Sequence, residues 1–357
     1  MNHRQLSRRS LLVATLAVPG TALLASCASG TGAQQTATTK TASATSTDGS
    51  TANDATGTGG SLTIGLTYTP NIQFAPFYLA EDAGLLGTNT LRHHGAEEGL
   101  FDALLSGTEQ LVIAGGDEAI VAASNANDVV IIGGFYQQYP VSVITREDTG
   151  ITDLTSLKGH SIGLPGRYGE NWFALQLALQ NAGLSEQDIT IQEIGYTQQL
   201  ALRTSKVDVI IGYSNNDAVQ LRQAGTAVVE IPIGEQVPLL GASIITSRKV
   251  LNSHREELKS LVSACAQGMT RFCDDVDAAV NATKSRQPDL VDATQAAAAK
   301  DVAVATAKLI RPSSTTTVGA LVPEQVGETI DFLSTHQLLG PTAVTTDAGC
   351  DALLSVA

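Results

Sequence analysis

The sequence predicts an α/β protein of two lobes, each a mixed sheet with helices on both faces, joined by a two-segment hinge. Three observations point there. The 357 residues exceed the length over which one hydrophobic core keeps growing. From Ser61 onward, short β-branched runs alternate with helical segments, the grammar of α/β folds. The strand-rich middle then gives way to long helices, as though the chain leaves one lobe, builds a second and returns. The crossings are expected near Arg146–Gly150 and Leu240–Ser247. Lobe one is then 61–147 plus 246–357, and lobe two is 148–245.

Two segments precede the lobes. Residues 1–26 carry Arg4, Arg8 and Arg9 and no acid, then an apolar run from Leu11 to Leu24 broken by Pro19-Gly20. A charged start before an apolar stretch too short to span comfortably is a signal peptide, not a membrane helix. It ends in Leu24-Ala25-Ser26-Cys27, which resembles the lipobox of bacterial lipoproteins, whose Cys thiol is acylated after cleavage. Cys27 is therefore the expected lipidation site, with an ordinary secretory signal as the alternative. Ser7-Arg8-Arg9-Ser10-Leu11-Leu12 also resembles a twin-arginine signal, so the export route stays open between Sec and twin-arginine. Residues 27–60 read as a disordered Ser/Thr/Gly/Ala tether, because 28–60 contain no Val, Ile, Leu, Met or aromatic residue. The expected location is the extracytoplasmic face of the cell membrane, reached through the lipid anchor only.

The net charge is −14; losing Arg4, Arg8 and Arg9 takes 21 Lys+Arg to 18 against 35 Asp+Glu, or −17. Such a surface suits neither nucleic acid nor an anionic bilayer, both of which call for clustered Lys and Arg. Cys265 and Cys273 lie two helical turns apart, about 12 Å, too far to bridge each other. Either could pair with Cys350, or all three could be buried thiols. No Cys/His spacing suggests a metal, and no cofactor is expected.

In order along the globular part, Leu62–Tyr68 reads as a strand, followed by the loop Thr69–Phe74 and a helix with Pro76 near its first turn. Leu111–Ala114 is a strand, Gly115-Gly116 a tight turn and Asp117–Ser124 a helix, with strands at Val129–Ile132 and Val141–Thr145. The pattern repeats: Ser161–Leu164 enters Pro165-Gly166-Arg167-Tyr168-Gly169 and a helix ending at Gly183. Ile189–Ile194 and Val207–Ile211 each lead into a Gly-Tyr loop and a helix. Strands at Val228–Ile231 and Ser243–Thr246 close the block. Leu258, Leu261, Val262, Cys265, Met269, Phe272, Val276 and Val280 form one apolar helical stripe, and Thr294–Ile310 and Glu324–His336 add two helices.

All seven tyrosines fall between Tyr68 and Tyr213. Tyr68, Tyr136, Tyr168, Tyr196 and Tyr213 each end a strand or sit in the loop after it. In open α/β sheets ligands bind outside the carboxyl ends of the strands. Tyrosine there offers a flat face and a hydroxyl at small entropic cost, suited to a planar heterocycle. The alternative is that the rings cap the cores. Phe77 and Tyr78 are expected to pack the first helix, while Phe74 faces the cleft. Trp172, the single Trp, opens the helix after Arg167-Tyr168-Gly169. Gly115-Gly116 starts a helix whose N–H groups could hold a carbonyl or an anion. Asp117 and Glu118 there could also simply complement the helix dipole. Asn71, Asn215 and Asn216 could read donor and acceptor edges, although Asn is also a common cap. His93-His94 reads as a solvated doublet.

These residues carry a resemblance. Tyr68-Thr69-Pro70-Asn71-Ile72-Gln73-Phe74-Ala75-Pro76-Phe77-Tyr78-Leu79-Ala80 is similar to the opening motif of the SsuA-like, thiamine-pyrimidine-precursor-type substrate-binding proteins of ABC importers. Asp153-Leu154 through Lys158-Gly159, Pro165–Gly169 and Gly212-Tyr213-Ser214-Asn215-Asn216 resemble later motifs. With Phe135-Tyr136-Gln137-Gln138-Tyr139-Pro140 they look most like the branch that binds riboflavin or thiamine-type pyrimidines. The resemblance covers about residues 61–345. It implies a type II periplasmic-binding-protein fold, a small-molecule ligand in the interlobe cleft, and a permease and an ATPase as partners; separately, a monomer is expected. The cleft candidates are Tyr68, Asn71, Phe74, Gly116, Asp117, Tyr136, Tyr168, Trp172, Tyr213, Asn215 and Asn216. The short segment from Gly87 to Gly95 departs from the family pattern and leaves the lobe-one wall open.

The same receptor could instead take a small anion such as an alkanesulfonate, taurine or nitrate, held by Arg167 and the helix start after Gly115-Gly116. Against that stand the −17 charge and the aromatic loops. An enzyme is not expected, since no Walker A run, GxSxG elbow or HExxH occurs and no catalytic residue is assigned.

Overall fold

The computed structural model describes residues 61–95 and 98–354. The signal peptide, Cys27 and the tether lie outside the described residues. β1 (Thr63–Leu66), β2 (Thr90–His93), β3 (Leu111–Gly115) and β4 (Val130–Gly134) come first, interleaved with α1 (Ala75–Asp82), α2 (Asp102–Leu105) and α3 (Gly116–Ser124). The chain then lays down β5 (Val141–Arg146), β6 (Ser161–Leu164), β7 (Thr190–Glu193), β8 (Val209–Tyr213) and β9 (Val228–Ile231). Between them run α4 (Gly169–Ala182), α5 (Gln198–Arg203) and α6 (Asp217–Gln223). It returns as β10 (Ala242–Thr246) and continues through α7 (Arg248–Asp274), α8 (Val276–Lys284), α9 (Ala293–Ile310), α10 (Pro323–Thr335) and α11 (Thr346–Gly349).

The strands make two five-stranded sheets, β2-β1-β3-β10-β4 and β7-β6-β8-β5-β9, within one compact unit. In each sheet the strand fed by a crossing, β10 or β5, runs antiparallel to both neighbours, and the other pairings are parallel. This is the expected pair of mixed sheets with surrounding helices. The crossings fall earlier than the sequence suggested. β5 pairs Val143 with Ile211 of β8 and with Ile231 of β9, so the chain has already changed sheets before Val141. The outward crossing is therefore 135–140 and the return 232–241. A uniformly apolar run such as Val141–Thr145 carries no mark of which sheet it joins, and only the pairing decides. β2 was not foreseen either: Thr90-Leu91-Arg92-His93 is an edge strand with little apolar alternation.

In lobe one, α7 lays its stripe against α1. A Cβ on Gly268 would fall 2.2 Å from the Pro76 carbonyl oxygen, so the two backbones touch through that glycine. The stripe is not one helix as the spacing suggested. Asp275 leaves helical geometry and its carboxylate accepts from Ala278 N at 2.9 Å, starting α8 anew. Phe77 and Tyr78 are fully buried in this core, as expected. Cys265, Cys273 and Cys350 are all free thiols, and burial pushes the Cys265 thiol up to about 12.

Candidate functional site

β3 ends in Gly115-Gly116, and the return crossing packs on the turn: a Cβ on Gly116 would fall 2.8 Å from both Leu240 Cβ and Ser243 Oγ. That close approach uses up the start of α3. Gly116 N donates to Gly241 O at 3.0 Å, Asp117 N to Leu240 O at 3.2 Å and Glu118 N to Asp117 Oδ1 at 2.7 Å. On the facing lobe β6 runs into Pro165–Gly169, and α4 starts at Gly169 with φ +68°. A side chain there would be strained and would fall 2.7 Å from Glu118 Oε1. The N-terminal ends of α3 and α4 thus meet across the lobes, bringing Asp117, Glu118 and Glu170 together.

Two phenols serve these acids. The Tyr139 hydroxyl, on the outward crossing, lies 2.8 Å from Asp117 Oδ2 and 3.1 Å from the Glu170 carbonyl oxygen. The Tyr213 hydroxyl, at the end of β8, donates to Glu170 Oε2 at 2.5 Å. Asp117 is wholly buried, Glu170 is 7% exposed, and Glu170 Oε1 has no hydrogen-bond partner. Burial raises the Glu170 carboxyl to about 7, against the opposing pull of the Tyr213 hydrogen bond. Burial pushes Asp117 well above the usual carboxylate range, helped by the charges of Glu170 and Glu118. Neither Asp117 nor Glu170 has a cationic partner among the described residues. Above about pH 7, where Glu170 is ionised, the arrangement offers a hydrogen-bond acceptor and no cation to an anion.

The other expected residues divide by role. Tyr68, Tyr168 and Tyr196 are 56%, 50% and 64% exposed on the loops after β1, β6 and β7. Tyr168 folds its ring over Gly166, where a Cβ would fall 2.4 Å from Tyr168 Cε1. Tyr136 and Asn215 meet each other and lobe one: Asn215 Nδ2 is 3.4 Å from the Tyr136 hydroxyl and 2.9 Å from Thr306 Oγ1 of α9. Asn71 is a cap, accepting from Gln73 N at 2.9 Å, and Asn216 precedes α6 and accepts from Gln220. Phe74 turns into the lobe-one core, edge-on to His93 with 5.5 Å between ring centroids, instead of facing the cleft. Trp172 is buried with the Arg167 guanidinium 4.9 Å above its ring.

Sequence reasoning missed Tyr139 and Glu170. Tyr139 lies inside the quoted Phe135–Pro140 stretch, one step from a proline, and the position before a proline reads as ordinary extended backbone. Glu170 looked like a helix-start acid. His93-His94 is not solvated. His93 Nε2 lies 3.0 Å from the Tyr78 hydroxyl, while His94 is buried with Nε2 2.9 Å from Glu109 Oε2. A separate groove of about 1200 Å³ runs between α4 and α10 along the return crossing, lined by Gln138, Gln180, Asn181, Glu235 and Glu328 among others. It contains none of the expected site residues.

Comparison with known proteins bears on this geometry. A family profile described as "NMT1/THI5 like" matches residues 71–279. The riboflavin-binding protein RibY of Chloroflexus aurantiacus is 31% identical over 214 residues, which cover 58% of this chain. The match spans 61% of that relative's length. Among solved structures, the periplasmic aliphatic sulphonate binding protein SsuA from Escherichia coli superposes with a TM-score of 0.65 at 16% identity, over 83% of this chain and 94% of that one. The alkanesulfonate-binding protein SsuA from Xanthomonas axonopodis pv. citri, bound to MOPS, gives 0.64 at 18% identity, over 82% and 98%. The fold is that of SsuA-like periplasmic binding proteins.

Proposed function

The chain belongs to the NMT1/THI5-like family, and on that premise we propose that it is the solute-binding component of an ABC importer. Its ligand is a flat heteroaromatic vitamin or precursor: riboflavin, or failing that a thiamine-type pyrimidine. It captures the ligand between the lobes and hands it to a permease driven by an ATPase. A ligand that binds the closed form better than the open one holds the lobes shut, and the closed form is what the permease meets. Acylation at Cys27 holds the monomer on the extracytoplasmic face of the membrane. The role is binding, not catalysis.

One observation carries the ligand class: α3 and α4 meet end to end with Asp117 and Glu170 partnered by phenols and by no cation. A buried anion left beside unpaired carboxyls is costly, whereas a neutral ring with N–H groups finds acceptors there. The exposed Tyr68, Tyr168 and Tyr196 supply flat faces at strand ends. The riboflavin-binding relative supports the same choice. The features an anion would need are engaged elsewhere. The first N–H groups of α3 donate to Gly241, Leu240 and Asp117, and Arg167 pairs with Glu186.

The test is titration of purified protein into riboflavin, read by quenching of flavin fluorescence, with thermal-shift screening of thiamine pyrimidines and alkanesulfonates alongside. Saturable quenching at micromolar concentration is expected. A response to sulfonates alone would overturn the ligand class.

A further inference from the structure

We infer that Glu170 is the residue that selects the ligand, with its Oε1 accepting a hydrogen bond from a ring N–H or exocyclic amine; this rests on the heteroaromatic reading above. Glu170 Oε1 is buried and has no hydrogen-bond partner, although its neighbour Oε2 receives the Tyr213 hydroxyl at 2.5 Å. Buried carboxyl oxygens are almost always partnered, so an orphan at the junction of two lobes marks the place of a missing donor. The surrounding groups do not supply that donor. The Tyr139 hydroxyl is engaged with Asp117 Oδ2 and the Glu170 carbonyl, and Asn171 Nδ2 donates to Ile211 O at 2.8 Å.

The backbone keeps the oxygen in place. Gly169, at φ +68°, turns the chain so that α4 begins immediately before Glu170 and leaves room for Glu118 against the turn. The acid is thus presented from a helix start in the middle of a lobe contact, oriented by Tyr213, with one acceptor left over. The site therefore selects ligands carrying an imide N–H, an amidine or an aminopyrimidine edge. It rejects those offering only carbonyl or sulfonate oxygens, because the orphan would stay unpaired.

The experiment compares riboflavin with 3-methylriboflavin, which keeps the ring and loses the imide N–H, and 4-aminopyrimidine with its dimethylamino analogue. At pH 8, where the Glu170 carboxyl is ionised, wild-type protein should prefer each donor-bearing ligand that binds by about tenfold to a hundredfold, the range of a hydrogen bond to a charged group. In Glu170→Gln the amide oxygen stays with Tyr213 and the NH2 faces the ligand, donor against donor, so the preference should vanish; Glu170→Ala should lose it too. Melting curves establish that both variants fold, and the wild-type comparison stands without them. Equal binding of the methylated and unmethylated members by wild type overturns the inference and leaves the receptor reading intact. So does a preference that survives in both folded variants. Binding of none of the four ligands overturns the inference together with the receptor's ligand class.

Discussion

Two buried acids in this protein live in opposite company. Glu109, in lobe one, is fully buried between an arginine and a histidine: Arg92 Nη1 lies 2.6 Å from Oε1 and His94 Nε2 2.9 Å from Oε2. The sheet makes room for it, since a Cβ on Gly65 would fall 2.0 Å from Glu109 Oε2. Glu170, at the lobe junction, is buried with a phenol on one oxygen and nothing on the other. Burial alone therefore does not mark a functional acid. Glu109 has its charge answered by the fold itself; Glu170 has a capacity that folding leaves unused. Strain of that kind survives where a ligand relieves it.

The largest effect should come from breaking the answered acid. Glu109→Ala removes the partner of Nε2 from a buried His94 whose Nδ1 already lacks one, and opens a cavity beside Gly65. A loss of about 3 kcal/mol, or roughly 5 °C in melting temperature, is expected. Riboflavin affinity should stay within about twofold, because nothing in this cluster touches the lobe junction. A variant that melts like wild type would remove the contrast at its first term.

Glu170 should respond with the opposite sign. Its carboxyl is raised from 4.5 to about 7 by burial, so the native state holds the proton more tightly than the unfolded chain. The stability this gives is fully present below pH 4.5 and is lost as pH rises through 7. Asp117, raised for the same reason, acts in the same direction. Depressed acids such as Asp208 and Asp351 act only below this window, where their stabilising ionisation is lost as pH falls. His93 and His336, both lowered by burial, oppose this below pH 6.5, so melting temperature should drop between pH 6.5 and pH 8. Glu170→Gln, which cannot ionise, should flatten that profile and melt higher than wild type at pH 8, by about 2–3 kcal/mol. The same variant should bind flavin more weakly, so stability and affinity part company at this residue. Identical pH profiles for the two proteins would show that Glu170 does not titrate here.

The contrast was only partly legible in the sequence. The alternation from Ser61 onward and the stripe from Leu258 gave the architecture, because periodicity reports burial directly. The order of crossings was hidden, since Val141–Thr145 reads the same in either sheet. The cap alternative raised for the asparagines holds for Asn71, which accepts from Gln73 N, while Asn216 accepts from the Gln220 side chain. Phe74 and Trp172 looked like cleft aromatics because of their loops, yet apolar rings at lobe edges gain more by joining the core. Glu170 was invisible for a different reason. An acid in the first turn of a helix is what dipole arguments expect, and only the fold of the facing lobe buries it.

The smallest effect is expected at Arg167, and its smallness is informative. Its side chain is 45% exposed, ion-paired with Glu186, 3.4 Å from Glu193 and stacked 4.9 Å from the Trp172 ring. Exposed pairs of this kind contribute about 0–1 kcal/mol, so Arg167→Ala should melt within a few degrees of wild type. The flavin reading expects affinity to change by about twofold or less, because the guanidinium faces its own lobe's acids. A receptor for small anions would need this cation more than any other residue near the loops, and would lose about tenfold or more. Quenching titrations on Arg167→Ala and Glu170→Gln side by side thus rank the two readings. A ligand held by the acid junction makes the glutamate matter and the arginine not, while the reverse order would turn the site from an acceptor of N–H groups into a binder of anions.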